Sequence, residues 1–105
     1  MHVTIINFRL QDWGEAEYRQ LCDEVAPAFA TVPGLVSKTW LADSESGTYG
    51  GVYVWADRES QAAFKESDLF ASVGGHPHLV DVSVREFGVL EEPTAVTRGA
   101  LGAVA

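Results

Sequence analysis

The sequence predicts an α+β domain of ferredoxin-like βαββαβ order, a four-stranded antiparallel sheet with two helices on one face. Three observations carry that expectation. Four stretches alternate apolar and polar residues with the period of a strand. Two others, after the first and third strands, space their apolar residues at three and four, the period of a helix. Only a short polar loop separates the second and third strands, so that pair folds as an antiparallel hairpin.

The first strand is His2–Leu10. Thr4, Ile6, Phe8 and Leu10 share one face, expected to pack on helices; Val3, Ile5, Asn7 and Arg9 share the other. Asp12, with Glu15 three residues on, resembles a capping box. The first helix is expected from about Trp13 to Ala30, with Tyr18, Leu21, Cys22, Val25, Ala28 and Phe29 as its apolar stripe. Pro27 removes a backbone donor late in it, and Val32-Pro33-Gly34 turns the chain. The hairpin strands are Leu35–Ala42 and Thr48–Ala56, joined by Asp43-Ser44-Glu45-Ser46-Gly47. In the second of them, Val52, Val54 and Ala56 are expected toward the helices, and Tyr49, Gly51, Tyr53 and Trp55 away from them. Gly50-Gly51 within a strand signals a bulge or a close approach by another backbone or a ligand. Asp57 caps the second helix, Arg58 to about Phe70, which Ser67-Asp68 can divide in two. The fourth strand is expected from His78 to Val89, with Val80, Val82 and Val84 on one face and Asp81, Ser83, Arg85 and Phe87 on the other. Residues 1–90 are expected to form the domain. The Ala/Gly-rich residues 91–105 are expected to be a tail, poorly ordered or packed on a partner subunit.

At 105 residues, 47% hydrophobic and 21% charged, the chain suits one folded domain. Seven basic against fifteen acidic residues leave a net charge of −8, which argues against nucleic acid and against an anionic membrane surface. No apolar run approaches a membrane span, and Met1-His2-Val3-Thr4 runs straight into a strand pattern with no secretory signal. The single cysteine, Cys22, cannot form an internal disulfide, so a cytoplasmic location is expected.

Helices cover one side of such a sheet. A second copy packing on the other side would bury it, so a homodimer of the α+β barrel type is expected. Alternation is read as placing Asn7, Arg9, Lys38, Trp40, Tyr53, Trp55, Asp81, Ser83 and Arg85 on that side. Aromatic walls with a few polar groups suit a small-molecule cavity, between sheet and helices or at the sheet–sheet junction. The other reading is a dimer interface whose charges pair, Asp81 with Arg85 or Arg9. His76-Pro77-His78 spaces two imidazoles at two, and His78 is a candidate general acid or base. A metal would need a third ligand, with His2 the only other histidine, so no metal site is expected. Cys22, on the apolar stripe, is expected to be an inert thiol.

Pro33-Gly34-Leu35, Lys38-x-Trp40, Gly50-Gly51-Val52-Tyr53-Val54 and Asp57-Arg58-Glu59-Ser60 together resemble the YdhR-like monooxygenase family, over roughly residues 3–90. That family belongs to the dimeric α+β barrel superfamily, with the antibiotic-biosynthesis monooxygenases. The resemblance implies oxygenation of an aromatic substrate with no bound flavin, haem or metal. In the antibiotic-biosynthesis relatives the proposed machinery is an Asn with a Trp, helped by Tyr and Arg. Asn7, Trp55 and Arg85 are this chain's nearest counterparts by residue type and expected face.

The expected function is therefore a cofactor-independent monooxygenase acting on an aromatic or polyphenolic small molecule with O2. Asn7, Trp55, Arg85 and His78 are its candidate catalytic residues. Arg9, Lys38, Trp40, Tyr53, Asp81 and Ser83 are its candidate substrate-binding residues. The alternatives are a polyketide-type cyclase or isomerase, and a non-catalytic small-molecule-binding dimer, since one fold hosts many chemistries.

Overall fold

A computed structural model describes residues 1–99. The chain runs β1 (His2–Leu10), α1 (Glu15–Ala30), β2 (Leu35–Asp43), β3 (Thr48–Trp55), α2 (Arg58–Lys65), α3 (Asp68–Gly74), β4 (Leu79–Gly88) and α4 (Glu91–Val96). The strands form one antiparallel sheet in the order β2-β3-β1-β4. This is the ferredoxin-like arrangement expected, with the second helical stretch split at Ser67, whose hydroxyl caps α3 through the Phe70 N–H. No helix among the described residues is long and apolar enough to cross a membrane.

Local chemistry sets the element ends. Asp57 caps α2 as expected, its carboxylate accepting the Ser60 N–H at 2.8 Å. The start of α1 differs from expectation. Its cap is Gly14, whose N–H donates to the Glu17 carboxylate at 3.0 Å, while Asp12 turns left-handed at φ 59°. That turn keeps Trp13 out of the helix and sends its ring across to His78.

Facing directions follow from register. Thr4, Ile6 and Phe8 of β1 pair with Tyr53, Gly51 and Tyr49 of β3, and paired residues share a sheet face. Ile6, Phe8, Tyr18, Phe29, Tyr49, Tyr53, Trp55, Phe64 and Leu79 form the buried core between sheet and helices. Tyr49, Tyr53 and Trp55 therefore point at the helices and Val52 and Val54 away, the reverse of the expected assignment. Lys38 and Trp40, opposite Tyr53 and Gly51, turn with them. The physical reason is area: large rings gain more from a deep helix-covered core than valines do, and the valines suit a flat sheet surface.

Two backbone details complete the frame. Gly50 sits at φ 151°, and a Cβ there would collide with the Ile6 carbonyl oxygen, which is the close approach the Gly-Gly pair signalled. In β4 the register against β1 shifts beside Asp81, which is left-handed at φ 54°. The bulge separates Val80, opposite Arg9 on the far face, from Val82 and Val84, which pack on the core, so the three valines do not share the face expected of them. At the far face α4 folds back near Met1, whose ammonium meets the Glu91 carboxylate at 2.7 Å. Residues 91–96 of the expected tail are thus helical; residues 100–105 of that tail lie outside the described residues.

Candidate active site

The helix α1 and the edge strand β2 leave a groove between them. A recess of about 470 Å³ lies between Tyr18, Arg19, Cys22, Asp23 and Ala26 of α1 and Trp40 to Ala42 of β2. A second, of about 350 Å³, lies between Ala26, Phe29 and Ala30 and the start of β2 through Lys38. A third, of only about 40 Å³, reaches inward to Phe8, Gly50 and Tyr53. Trp40 lines all three, and Lys38 lines the second and third. β2 positions both side chains by strand alternation, two residues apart on one face.

Lys38 is the unusual residue. Its stem lies across β3 where Gly51 has no side chain; a Cβ at Gly51 would stand 3.0 Å from Lys38 Cε. Its Nζ sits 3.4 Å from the ring centroids of Phe29 and Trp40 and 4.6 Å from that of Tyr53. The chain's two ion pairs among the described residues, Met1–Glu91 and Lys65–Glu86, do not include it. Burial without a carboxylate pushes the Lys38 ammonium down to about 7. The three ring faces attract the charged form and oppose that shift, so charged and neutral forms are both accessible near neutral pH. Around it, burial raises the Tyr53 and Tyr18 phenols well above the usual range, so both are neutral. Burial also raises the Cys22 thiol, against a hydrogen bond to Tyr18 and the nearby Lys38, which both lower it. Cys22 thus has a cation beside it that its sequence neighbours gave no hint of.

Trp55 lies beneath this layer, 0% exposed, stacked on Tyr53 and tilted against Phe64. Its Nε1–H donates to Thr4 Oγ1 at 3.0 Å, and the Thr4 hydroxyl donates to Gln61 Oε1 at 3.0 Å. These two bonds satisfy the buried indole N–H and the Thr4 hydroxyl and lock β1, β3 and α2 together.

The ten expected site residues do not gather at one place. Lys38, Trp40 and Tyr53 meet around the groove. Trp55 is sealed in the core behind them. Asn7, Ser83 and Arg85 share the opposite sheet face, where Asn7 pairs with Ser83 and Arg85 lies over the Phe87 ring. Arg9 is exposed and donates to the Ser46 carbonyl, and Asp81 is exposed at the bulge. Near the end of β1, His78 stacks on Trp13 with centroids 4.6 Å apart and planes 10° apart. Its Nδ1 lies 2.7 Å from the Gln11 carbonyl, which can only accept, so Nδ1 carries the proton. His76 Nδ1 accepts the His78 N–H, and burial with His78 nearby lowers its pKa. His2 pairs with Trp55 and Gly88 at the other end of β1, so the three imidazoles are not together. No metal-binding cluster of side chains occurs among the described residues. Sequence reasoning missed Tyr18 and Cys22 as groove residues. Their place on the apolar stripe of α1 reads as plain core, and only the groove shows otherwise.

Comparison with known proteins places the chain in a family. The family model described as "Putative mono-oxygenase ydhR" matches residues 3–100, and the chain belongs to that family. Among solved structures, SnoaB from Streptomyces nogalater, a cofactor-independent oxygenase, is similar at 21% identity and a TM-score of 0.67, over 86% of this chain and 94% of that one. The haem-degrading MhuD from Mycobacterium tuberculosis is similar at 22% identity and a TM-score of 0.69, over 86% and 96%. A protein of unknown function from Nitrosomonas europaea is similar at 14% identity and a TM-score of 0.73, over 85% and 88%. These likenesses are of fold. Among curated proteins none matches.

Proposed function

We propose that the chain is a cofactor-independent monooxygenase that takes a flat, electron-rich aromatic, a phenol or its enol tautomer, into the groove between α1 and β2. The observation that carries this reading is the aromatic-walled groove with a single lysine amine at its inner end. Family membership supports the reaction class. An ionised phenol is rich enough in electrons to reduce O2 directly, whereas the neutral phenol is not. The ring carbon gains one oxygen atom as a carbonyl, and the other leaves as water with the ring C–H and the O–H hydrogens. No external reductant enters the balance. Trp40, which lines all three recesses, offers a surface on which the ring stacks, and the neutral Tyr18 hydroxyl offers a hydrogen bond.

The catalytic subunit in this reading is part of a homodimer. The far sheet face presents Val3, Ile5, Val52 and Phe87, the last 44% exposed, and a second copy covers apolar surface of that kind. In such a dimer Asn7, Ser83 and Arg85 line the junction. The groove opens on the helix side of each subunit.

Oxygen uptake with a panel of hydroxynaphthalenes and polyphenols, under metal-chelated conditions, tests the oxygenase. Uptake with a product mass gain of one oxygen, less two hydrogens, is expected. No uptake across the panel, with proton exchange at a substrate carbon, would move the protein to the cyclase or isomerase class.

A further inference from the structure

We propose that Lys38, laid across Gly51 into the aromatic end of the groove, is the base that removes the hydroxyl proton of the substrate, and that the substrate is an acidic phenol or enol. The proposal rests on the oxygenase reading for the later fate of the anion, but not for the proton transfer that creates it.

Three features point to Lys38. The first is placement: among groove residues it carries the one amine, and it lines both the second and the third recess. The second is how it is held. Gly51 leaves room for the stem, and the rings of Phe29, Trp40 and Tyr53 surround the head. A lysine that served only as a surface charge needs no glycine beneath it. The third is the company. No carboxylate pairs with it among the described residues, and burial brings its ionisation to about 7. The titratable groups that face it are few. From α1 come the Cys22 thiol and Tyr18 hydroxyl, from β3 the Tyr53 hydroxyl, all raised by burial and neutral. Arg19 and Asp23, at the groove's outer rim, carry opposite charges.

The step balances without further reagents. The nitrogen lone pair forms an N–H bond as the substrate O–H bond breaks, and that bonding pair stays on oxygen as phenolate or enolate. The site begins neutral and ends as an ion pair. The new ammonium sits among ring faces that favour it and next to the anion it created. A permanently charged residue would stabilise the anion but take no proton. A substrate much less acidic than Lys38's conjugate acid would not transfer, which limits the class to phenols and enols that ionise near neutral pH.

Lys38 and Lys65 are the chain's two lysines, so the ionisation can be read directly. Reductive methylation with 13C-formaldehyde labels both lysines and the Met1 amine, and Lys38→Met identifies the Lys38 signal by its loss. Lys38 should titrate near 7. Lys38 titrating in the ordinary lysine range overturns the proposal. The second arm uses 4-nitrophenol at pH 7, where it and the Lys38 amine each exist in both forms. Wild-type protein should bind it as the yellow phenolate and Lys38→Met as the colourless phenol; the same form on both proteins, or no binding to either, overturns the proposal. The third arm is oxygen uptake. Lys38→Met and Lys38→Arg should each lower kcat/KM at pH 7 by about tenfold or more for a phenol that ionises a unit or more above 7, with recovery above the substrate's own ionisation, where solution supplies the anion. Uptake that ignores Lys38 overturns the base and leaves the oxygenase. Lys38-dependent ionisation of 4-nitrophenol with no uptake on any phenol upholds the base and overturns the oxygenase. Unfolding midpoints of both variants, compared with wild type, separate lost chemistry from lost structure.

Discussion

At the residue scale, Lys38 shows what burial does to a charge. In the unfolded chain its amine ionises in the ordinary lysine range, and in the fold at about 7. Between those values the unfolded chain holds more protons than the native one, so this group makes stability rise with pH from about 7 upward. Below about 7 the ammonium is present in both states and its desolvation is a standing penalty. Lys38→Met should flatten that slope and be more stable than wild type at pH 6, as urea titrations at several pH values would show. Trp55 is the complementary case. Trp55→Phe removes the indole donor to Thr4 and should cost roughly 1–3 kcal/mol in urea unfolding. Its groove is out of direct reach, so oxygen uptake by the folded variant should change little. A full loss of uptake in a fully folded Trp55→Phe would instead argue that the indole belongs to the chemistry.

Elements place these residues through local rules. Asp57 holds α2 by accepting the Ser60 N–H, and that bond, with the Ser60 hydroxyl, keeps its carboxyl below the usual carboxylate range. The cap's stability is therefore present above the ordinary Asp range and is lost as pH falls through the lowered value. Asp57→Ala should lower the urea midpoint at neutral pH and leave part of the acid limb of the stability curve missing. Gly50 is an element-scale constraint as well. Gly50→Ala puts a Cβ onto the Ile6 carbonyl in a left-handed backbone and should destabilise by well over about 1 kcal/mol, measured by thermal melting. Much of this was legible beforehand: the Asp57 cap, the Gly-Gly close approach and the break at Ser67 each have a residue-specific cause within a few positions. The Gly14 start of α1 was not, because Asp12 offered a plausible cap and nothing local excluded it.

The whole molecule decides what local rules leave open. Phe87→Asp, on the far face, is expected to leave the fold intact and to shift the proposed dimer toward monomer in sedimentation equilibrium. An unchanged molecular mass for both proteins as monomers would remove the dimer. The sequence by itself determined the order of elements from β1 to β4 and the hairpin, because periodicity and turn chemistry are properties of neighbouring residues, and its motifs carried the resemblance to the family. It also sorted Tyr49, Gly51, Tyr53 and Trp55 from Val52 and Val54. Alternation is symmetric, however, and names two faces without saying which one the helices cover. Only the tertiary structure decided that, through the pairing of Thr4, Ile6 and Phe8 with Tyr53, Gly51 and Tyr49 under Phe29 and Phe64. The same decision carried Lys38 from an expected sheet–sheet junction into an aromatic groove. There the loss of water, and not its neighbours in sequence, sets its chemistry.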